Sequence, residues 1–448
     1  MQDYWSIADR IAGDIAAGRL RPGQQLPPQR WFARRHRIAP STAGRVYGEL
    51  VRRGLVVGEV GRGTFVRAAP AVAQGRALVE TATTDSPVNL ELNYPSVTGQ
   101  SELIAASLAP LLRGDALTEV MRPGAADGTA AARTAAADLL ALPGWRPAPG
   151  QVLFTGNARQ AIAAALASLV RPGGRVGVEE LTYPLVKEIA GRLGVVLVPV
   201  AGDAEGVRVD ALAAAHRAGP LSALYLQPAL HNPTSLRMSE ERRRQLGLCV
   251  SELQIPVVED RIWSFLHPDA VPLAVHAPGL VHVVDGLSKR VTPGLTVGFL
   301  VVPERRAAAV AGAMRSGGWS AGRFAVEAAV RWAADGVVRR LVEEKRADAM
   351  RRQQILAEQL EGFTVRTDPC AYFAWWELPA PWRADTFTAA AAAHGIAVTP
   401  GTAFAVDPHR TPDAVRLGLA STPEGELAWA LRVLAGVAAA GPTASAGG

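Results

Sequence analysis

The chain has 448 residues, of which 49% are hydrophobic and 20% charged, with a formal net charge of +6; this suits a globular protein of two to four domains at roughly 150 residues each. Two cysteines, Cys249 and Cys370, supply neither a disulfide framework nor a metal-ligand cluster, so no metal site is expected and a reducing cytosol is the expected compartment. No apolar run reaches the roughly 18 residues that a membrane helix needs, and Asp9, Arg10 and Asp14 break the first apolar stretch, so neither a membrane span nor a signal peptide is expected.

The charge is unevenly placed. Residues 1–70 hold 12 arginines against 5 acids, a net of +7, so residues 71–448 together carry −1. A small basic module on a neutral body is the footprint of nucleic-acid binding. Within that module, Ile7, Ala8, Ile11 and Ile15 fall at helical spacing over 4–17, and Gly18 predicts its end. Pro27-Pro28 opens a second helix over 29–35, and Pro40-Ser41-Thr42 opens a third that runs to Arg53 before Gly54. Residues 55–57 and 64–66 read as two strands joined by the glycine-rich tip Gly58–Gly63.

Three helices followed by a hairpin make a winged helix-turn-helix, whose third helix enters the major groove. Ser41, Thr42 and Arg45 lie on its first turns, Arg30, Arg34 and Arg35 suit phosphates, and Arg62 and Gly63 sit at the wing tip. Leu26-Pro27-Pro28-Gln29-Arg30, Gly54-Leu55-Val56 and Gly61-Arg62-Gly63-Thr64-Phe65-Val66 resemble the GntR-type DNA-binding domain. That resemblance implies a double-stranded DNA operator as partner. One departure is Ala39-Pro40, where the family usually has Ser-Arg.

Residues 68–88 are rich in Ala, Thr, Ser and Pro and read as a linker. Beyond it, strand-like runs at 151–154, 175–178, 195–200, 223–226, 256–258, 281–284 and 297–302 alternate with helical runs at 158–170, 184–193, 240–252 and 304–314. Such alternation predicts an α/β fold with a mostly parallel sheet covered on both faces. The last ~90 residues read as a smaller α/β lobe with strands near 371–376 and 414–419.

Ligands bind such sheets beyond the carboxyl ends of the strands, and polar residues follow them here. Thr155-Gly156-Asn157-Ala158 joins a strand to a helix start, an anion site. His231-Asn232-Pro233-Thr234, Glu259-Asp260 and Ser288-Lys289 follow three others. Lys289 is one of three lysines, with Lys187 and Lys345, among 47 basic residues. Forming a Schiff base is a task that arginine cannot take over, because a guanidinium stays protonated.

This order resembles the fold-type I, pyridoxal-phosphate-dependent aminotransferases, and with the N-terminal module the chain resembles the MocR subfamily of GntR regulators over roughly residues 4–435. The resemblance implies a winged module at 1–67, a linker at 68–88 and an aminotransferase-like body at 89–440 with a small lobe from about 345. It assigns Lys289 to the internal aldimine of pyridoxal 5'-phosphate, Asp260 to the pyridine nitrogen, Asn232 to the ring 3-oxygen and Tyr183 to the ring face. Ser288, Asn157 and Ala158 join the cofactor contacts. Arg416, behind the Pro400-Gly401-Thr402-Ala403-Phe404 segment, matches the clamp for an effector carboxylate.

Several family positions are altered. Thr296 stands where the phosphate-binding arginine belongs, Gly286 where a hydroxyl does, Asn157 where the cradle glycine does, Pro123 where a partner-subunit tyrosine does, and Trp263 where the ring-oxygen tyrosine does. Arg290 and Arg122 are candidate replacements at the phosphate. The resemblance implies a homodimeric regulator that senses an amino-containing effector through the bound cofactor. Two alternatives stay open: an active aminotransferase, and a cofactor-free pseudo-aminotransferase with a degenerate phosphate cup.

Overall fold

The computed structural model describes residues 4–16, 19–20, 24–53, 55–59, 63–66, 88–407 and 410–442. In the N-terminal module, helices α1 (Tyr4–Ala16), α2 (Gln29–His36) and α3 (Pro40–Arg52) pack through Ile7, Ile11, Ile15, Phe32, Val46, Tyr47 and Leu50. Arg37, with φ 52°, closes α2 in the left-handed region and turns the chain toward α3. Pro40 occupies the start of α3, where its missing N–H leaves no helical bond unmade. Two-residue β1 (Gln25–Leu26), too short to leave a periodic signal, joins β2 (Val56–Glu59) and β3 (Gly63–Val66) in the order β1-β3-β2. Arg62 and linker residues 68–87 lie outside the described residues.

Val88, read from sequence as the end of the linker, instead opens β4 (Val88–Asn89), which pairs in parallel with β16 (Ile396–Ala397). The large sheet uses β5 (Val152–Thr155), β6 (Arg175–Glu179), β7 (Val196–Val200), β10 (Ala223–Leu226), β11 (Val257–Asp260), β12 (Val281–Gly286) and β13 (Gly298–Val301); a short hairpin, β8 (Gly202–Asp203) and β9 (Gly206–Val207), follows β7. Its order is β5-β13-β12-β11-β10-β6-β7, and only β13 runs antiparallel to its neighbours. All seven expected strands are present. Runs such as Val281–Gly286 and Val257–Asp260 are buried at every position, as a sheet covered by helices on both faces requires.

The helices over Ala158–Leu169, Pro184–Arg192 and Glu240–Leu253 also lie where the sequence placed them. The fourth begins late: Glu304–Arg306 is a 3-10 turn, and the α-helix runs over Ala307–Gly317. The small lobe holds β14 (Val365–Arg366), β15 (Phe373–Glu377), β17 (Thr399–Pro400) and β18 (Ala414–Gly418) in the order β14-β15-β18-β17. The lobe boundary expected near residue 345 falls inside a connecting helix. Residue 345 lies within one continuous helix, Val337–Gln359, whose start packs in the large core and whose end packs in the small-lobe core.

Gly298 is where β13 passes the turn between β5 and the next helix. A Cβ there would lie 2.3 Å from Thr155 Oγ1 and 2.5 Å from Asn157 O, so the turn would have to move. Gly298→Ala is expected to lower stability by about 1–3 kcal/mol, whereas Gly294→Ala, with open space around it, is expected to be near neutral. Urea unfolding of the two variants compares them.

Candidate functional site

Five strand ends deliver polar side chains to one cavity. It is lined by Asn157, Ala158 and Arg159 after β5, Tyr183 after β6, Gln227 and Asn232 after β10, Asp260, Ile262 and Trp263 at the end of β11, and Ser288 and Lys289 after β12. Glu91–Tyr94 and Arg416 close it from the small-lobe side, and Thr296 from the start of β13. The structure thus brings together Lys289, Asp260, Asn232, Tyr183, Ser288, Asn157, Ala158 and Arg416. Tyr94, Arg159 and Gln227 also line the cavity and were not singled out from sequence.

Lys289 is half-buried on a one-turn helix, Leu287–Arg290. Its Nζ donates to Asn93 O at 2.6 Å and stands 3.7 Å from the Tyr94 ring centroid and 5.1 Å from that of Trp263. Loss of water around the ammonium pushes its pKa well below the usual lysine range, and the charges of Arg416, Arg159 and Lys345 push it further. A neutral amine is the nucleophile that carbonyl chemistry needs.

Asp260 is 5% exposed. It accepts from Tyr225 Oη at 2.8 Å, Gln227 Nε2 at 3.2 Å and Ile262 N at 3.0 Å; none of these donors is a cation. Burial raises its pKa against those hydrogen bonds, so a cationic N–H beside it would be favoured. Gln227 Oε1 also accepts from Asn232 N at 3.2 Å. This leaves Asn232, 6% exposed, with Oδ1 unpartnered at the cavity.

Arg416, 2% exposed, donates from Nη2 to Glu91 O at 2.5 Å and to Thr399 Oγ1 at 2.9 Å, while its Nε is buried without a partner. Burial lowers its pKa to about 10, so it keeps its charge at neutral pH. Tyr183 precedes Pro184 at the start of the helix Pro184–Arg192, and burial raises its phenol. Trp263 is 4% exposed and packs against Phe265, Tyr372 and Phe373.

At the other end, Asn157 caps the helix Ala158–Leu169 by accepting from Gln160 N at 3.0 Å. Its side chain therefore closes one N–H that the helix start would otherwise offer. Thr296 Oγ1 is buried without a partner. Neither candidate replacement for the lost arginine reaches the cavity. Arg290 pairs with Asp285, Nη2–Oδ2 2.5 Å, and Arg122 pairs on the surface with Glu119 at 3.1 Å. Pro123, in the position of the partner-subunit tyrosine, is exposed.

In the N-terminal module, Arg30, Arg34, Ser41, Arg45 and Gly63 are exposed and Thr42 half-exposed. The Arg45 guanidinium lies 5.4 Å from the Tyr4 ring centroid. Ala39, before α3, gives no side-chain cap. Arg62 lies outside the described residues. No helix among the described residues is long and apolar enough to cross a membrane.

The profile of aminotransferase class I and II matches residues 88–434, and that of the bacterial regulatory proteins of the gntR family matches residues 3–66. The chain belongs to the class I and II aminotransferase family, in its MocR-type arrangement. The HTH-type transcriptional regulator YdeF of Bacillus subtilis is 29% identical over 417 residues, covering 93% of this chain and 90% of the relative. PdxR of Corynebacterium glutamicum, named as a pyridoxine biosynthesis transcriptional regulator, is 24% identical over 79% of this chain and 78% of its own length. The kynurenine aminotransferase of Pyrococcus horikoshii superposes with a TM-score of 0.73 at 22% identity, over 81% of this chain and 93% of that one, and shares the fold.

Glu179, which accepts from the backbone N–H of the cavity residue Gln227 at 3.3 Å, forms a buried titrating pair with His231. His231 Nε2 lies 3.5 Å from Glu179, yet burial raises Glu179 to about 8 and lowers His231 to about 4, so the contact is between neutral groups at pH 7. Glu179 keeps its proton in the folded chain above the usual 4.5. The folded state therefore binds the extra proton, and stability falls as pH rises toward 8. His231 acts oppositely as pH rises through its unfolded value of 6.5, and it does so in wild type and in Glu179→Gln alike. From pH 6.5 to 8, wild type is expected to lose stability relative to Glu179→Gln by on the order of 1 kcal/mol per pH unit. Urea unfolding across that range checks it; parallel curves would mean that Glu179 is already ionised.

Proposed function

We propose that the protein is a homodimeric DNA-binding transcriptional regulator whose aminotransferase-like body holds pyridoxal 5'-phosphate on Lys289 and responds to an amino-containing effector. One observation carries this reading. A lysine amine whose pKa burial pushes well below the usual range shares a cavity with a buried carboxylate that lacks a cationic hydrogen-bond partner and with a buried guanidinium. The unpartnered Asn232 Oδ1, Arg416 Nε and Thr296 Oγ1 around it fit a polar ligand. The names of PdxR and of the Salmonella typhimurium vitamin B6 salvage repressor PtsJ, 24% identical over 89% of this chain, point the same way.

When bound, the cofactor supplies an aldehyde carbon that amines exchange on and a ring that takes up electrons. Lys289 would hold it through its amine, and Asp260 would keep a proton on the ring nitrogen. The Asn232 amide would donate to the ring oxygen, and Tyr183 would pack against the ring. Arg416 takes the effector's carboxylate in a charge-assisted pair. Ser41, Thr42 and Arg45 face base edges, while Arg30, Arg34, Arg62 and Gly63 meet the DNA backbone. Arg383, at the start of the small-lobe helix Ala384–Ala393, lies 4.9 Å from the Phe65 ring centroid of the wing. The lobe carrying Arg416 therefore touches the DNA-binding module, and an effector that favours one arrangement shifts both.

Purified protein given pyridoxal phosphate is expected to gain a visible absorbance that Lys289→Ala lacks; no such difference would leave a cofactor-free scaffold. Arg45→Ala is expected to weaken operator binding by about 1–3 kcal/mol and to leave that absorbance unchanged. Lys289, Asp260 and Asn232 together in one cavity also favour a second reading, an active aminotransferase. Repeated turnover with an amino acid and a keto-acid acceptor would establish it.

A further inference from the structure

The cofactor reading leaves the phosphate end of the cavity without the family's arginine, since Thr296 stands in its place and Gly286 offers no hydroxyl. Arg290 is held by Asp285 and Arg122 by Glu119. Arg159, unlike those two, reaches the cavity. It lines the same cavity as Thr296 and Ser288, as the second residue of the 12-residue helix Ala158–Leu169. Its charge acts on both Lys289 and Tyr183, which places it in their common surroundings. Thr296 Oγ1, in the lining of the same cavity, is buried and unpartnered.

We propose that Arg159 is the phosphate anchor of this chain: the arginine has moved from the strand after the lysine to the cradle helix. This rests on the reading that pyridoxal phosphate binds at Lys289. A dianion drawn from water needs charge-assisted donors. Arg159 supplies the charge, the helix start adds its N–H field, and Thr296 and Ser288 supply hydroxyls. The substitution at 296 and the arginine at 159 are then one exchange. Asn157, which closes one N–H of the same helix start, makes that charge more necessary.

The test titrates the cofactor-free full chain with pyridoxal phosphate and, separately, with pyridoxal, following the visible absorbance. Arg159→Gln is expected to weaken pyridoxal phosphate about ten- to a hundredfold, the range of one charged hydrogen bond, and pyridoxal by less than about threefold. Arg159→Gln with Thr296→Arg is expected to recover most of the lost affinity, because it restores the arginine on the strand. Wild-type affinity in Arg159→Gln overturns the proposal, as does an equal loss for both compounds. A wild-type chain that shows no Lys289-dependent absorbance removes the cofactor reading itself. A wild type that binds pyridoxal phosphate and an Arg159→Gln that binds it equally well removes only the anchor.

Discussion

The cavity depends on a lysine amine kept out of bulk water beside fixed positive charge. Lys289 faces Arg416 and Arg159 across the cavity, and each makes its protonated form less favourable. That arrangement persists only if the backbone cannot swing the side chain outward. Lys345 supplies the hold: its Nζ, 0% exposed as a residue, donates to Lys289 O at 3.1 Å and to Val291 O at 2.8 Å. Burial lowers Lys345 to about 7, so the clamp works near the point where the amine carries its charge only part of the time. Tyr372 ties the same turn of the long helix by donating to Lys345 O and Asp348 Oδ2.

The third lysine does a similar job on the opposite wall. Lys187 Nζ donates to Ala403 O at 2.8 Å and Ala405 O at 2.9 Å, fixing the segment whose Phe404 ring lies 5.7 Å from the Arg416 guanidinium. An ammonium at the end of a flexible stem can reach two carbonyls at a bend, where a planar guanidinium needs a matching fork. The scarcity of lysine in this chain therefore has a physical reading. One amine faces the cavity, and the other two brace backbone beside it and beside Arg416.

What was legible in the sequence follows from the range of the interactions. Most of the seven sheet strands announce themselves through continuous apolar runs, because both faces of the sheet are buried. Lys289, Asp260 and Asn232 could be placed because each lies at or within about six residues of the end of such a run. Tyr94 and the carbonyl of Asn93 meet Lys289 across nearly 200 residues, with no local pattern to mark them. Val88–Asn89 pairs with Ile396–Ala397 for the same reason beyond a composition that reads as linker. Arg159 was hidden by abundance: one arginine among 44 carries no signal until the fold shows which of them faces the cavity. Arg290, by contrast, stood next to the lysine in sequence and is turned instead onto Asp285.

Trp263 bears on the choice between sensor and catalyst. In the place of a phenol it puts an indole that is buried against Phe265, Tyr372 and Phe373, a side chain that neither gains nor loses a proton in the working range. Fast transamination requires protons to move repeatedly between the lysine, the ligand and nearby hydroxyls, and an indole at that position narrows those routes. Exchange of an amine on a cofactor would make smaller demands: a lysine of lowered pKa, a carboxylate and an arginine. Lys289, Asp260 and Arg416 line this cavity together. Under the proposed reading, such a cavity suits recognition of an amine by a transcriptional regulator more than rapid turnover.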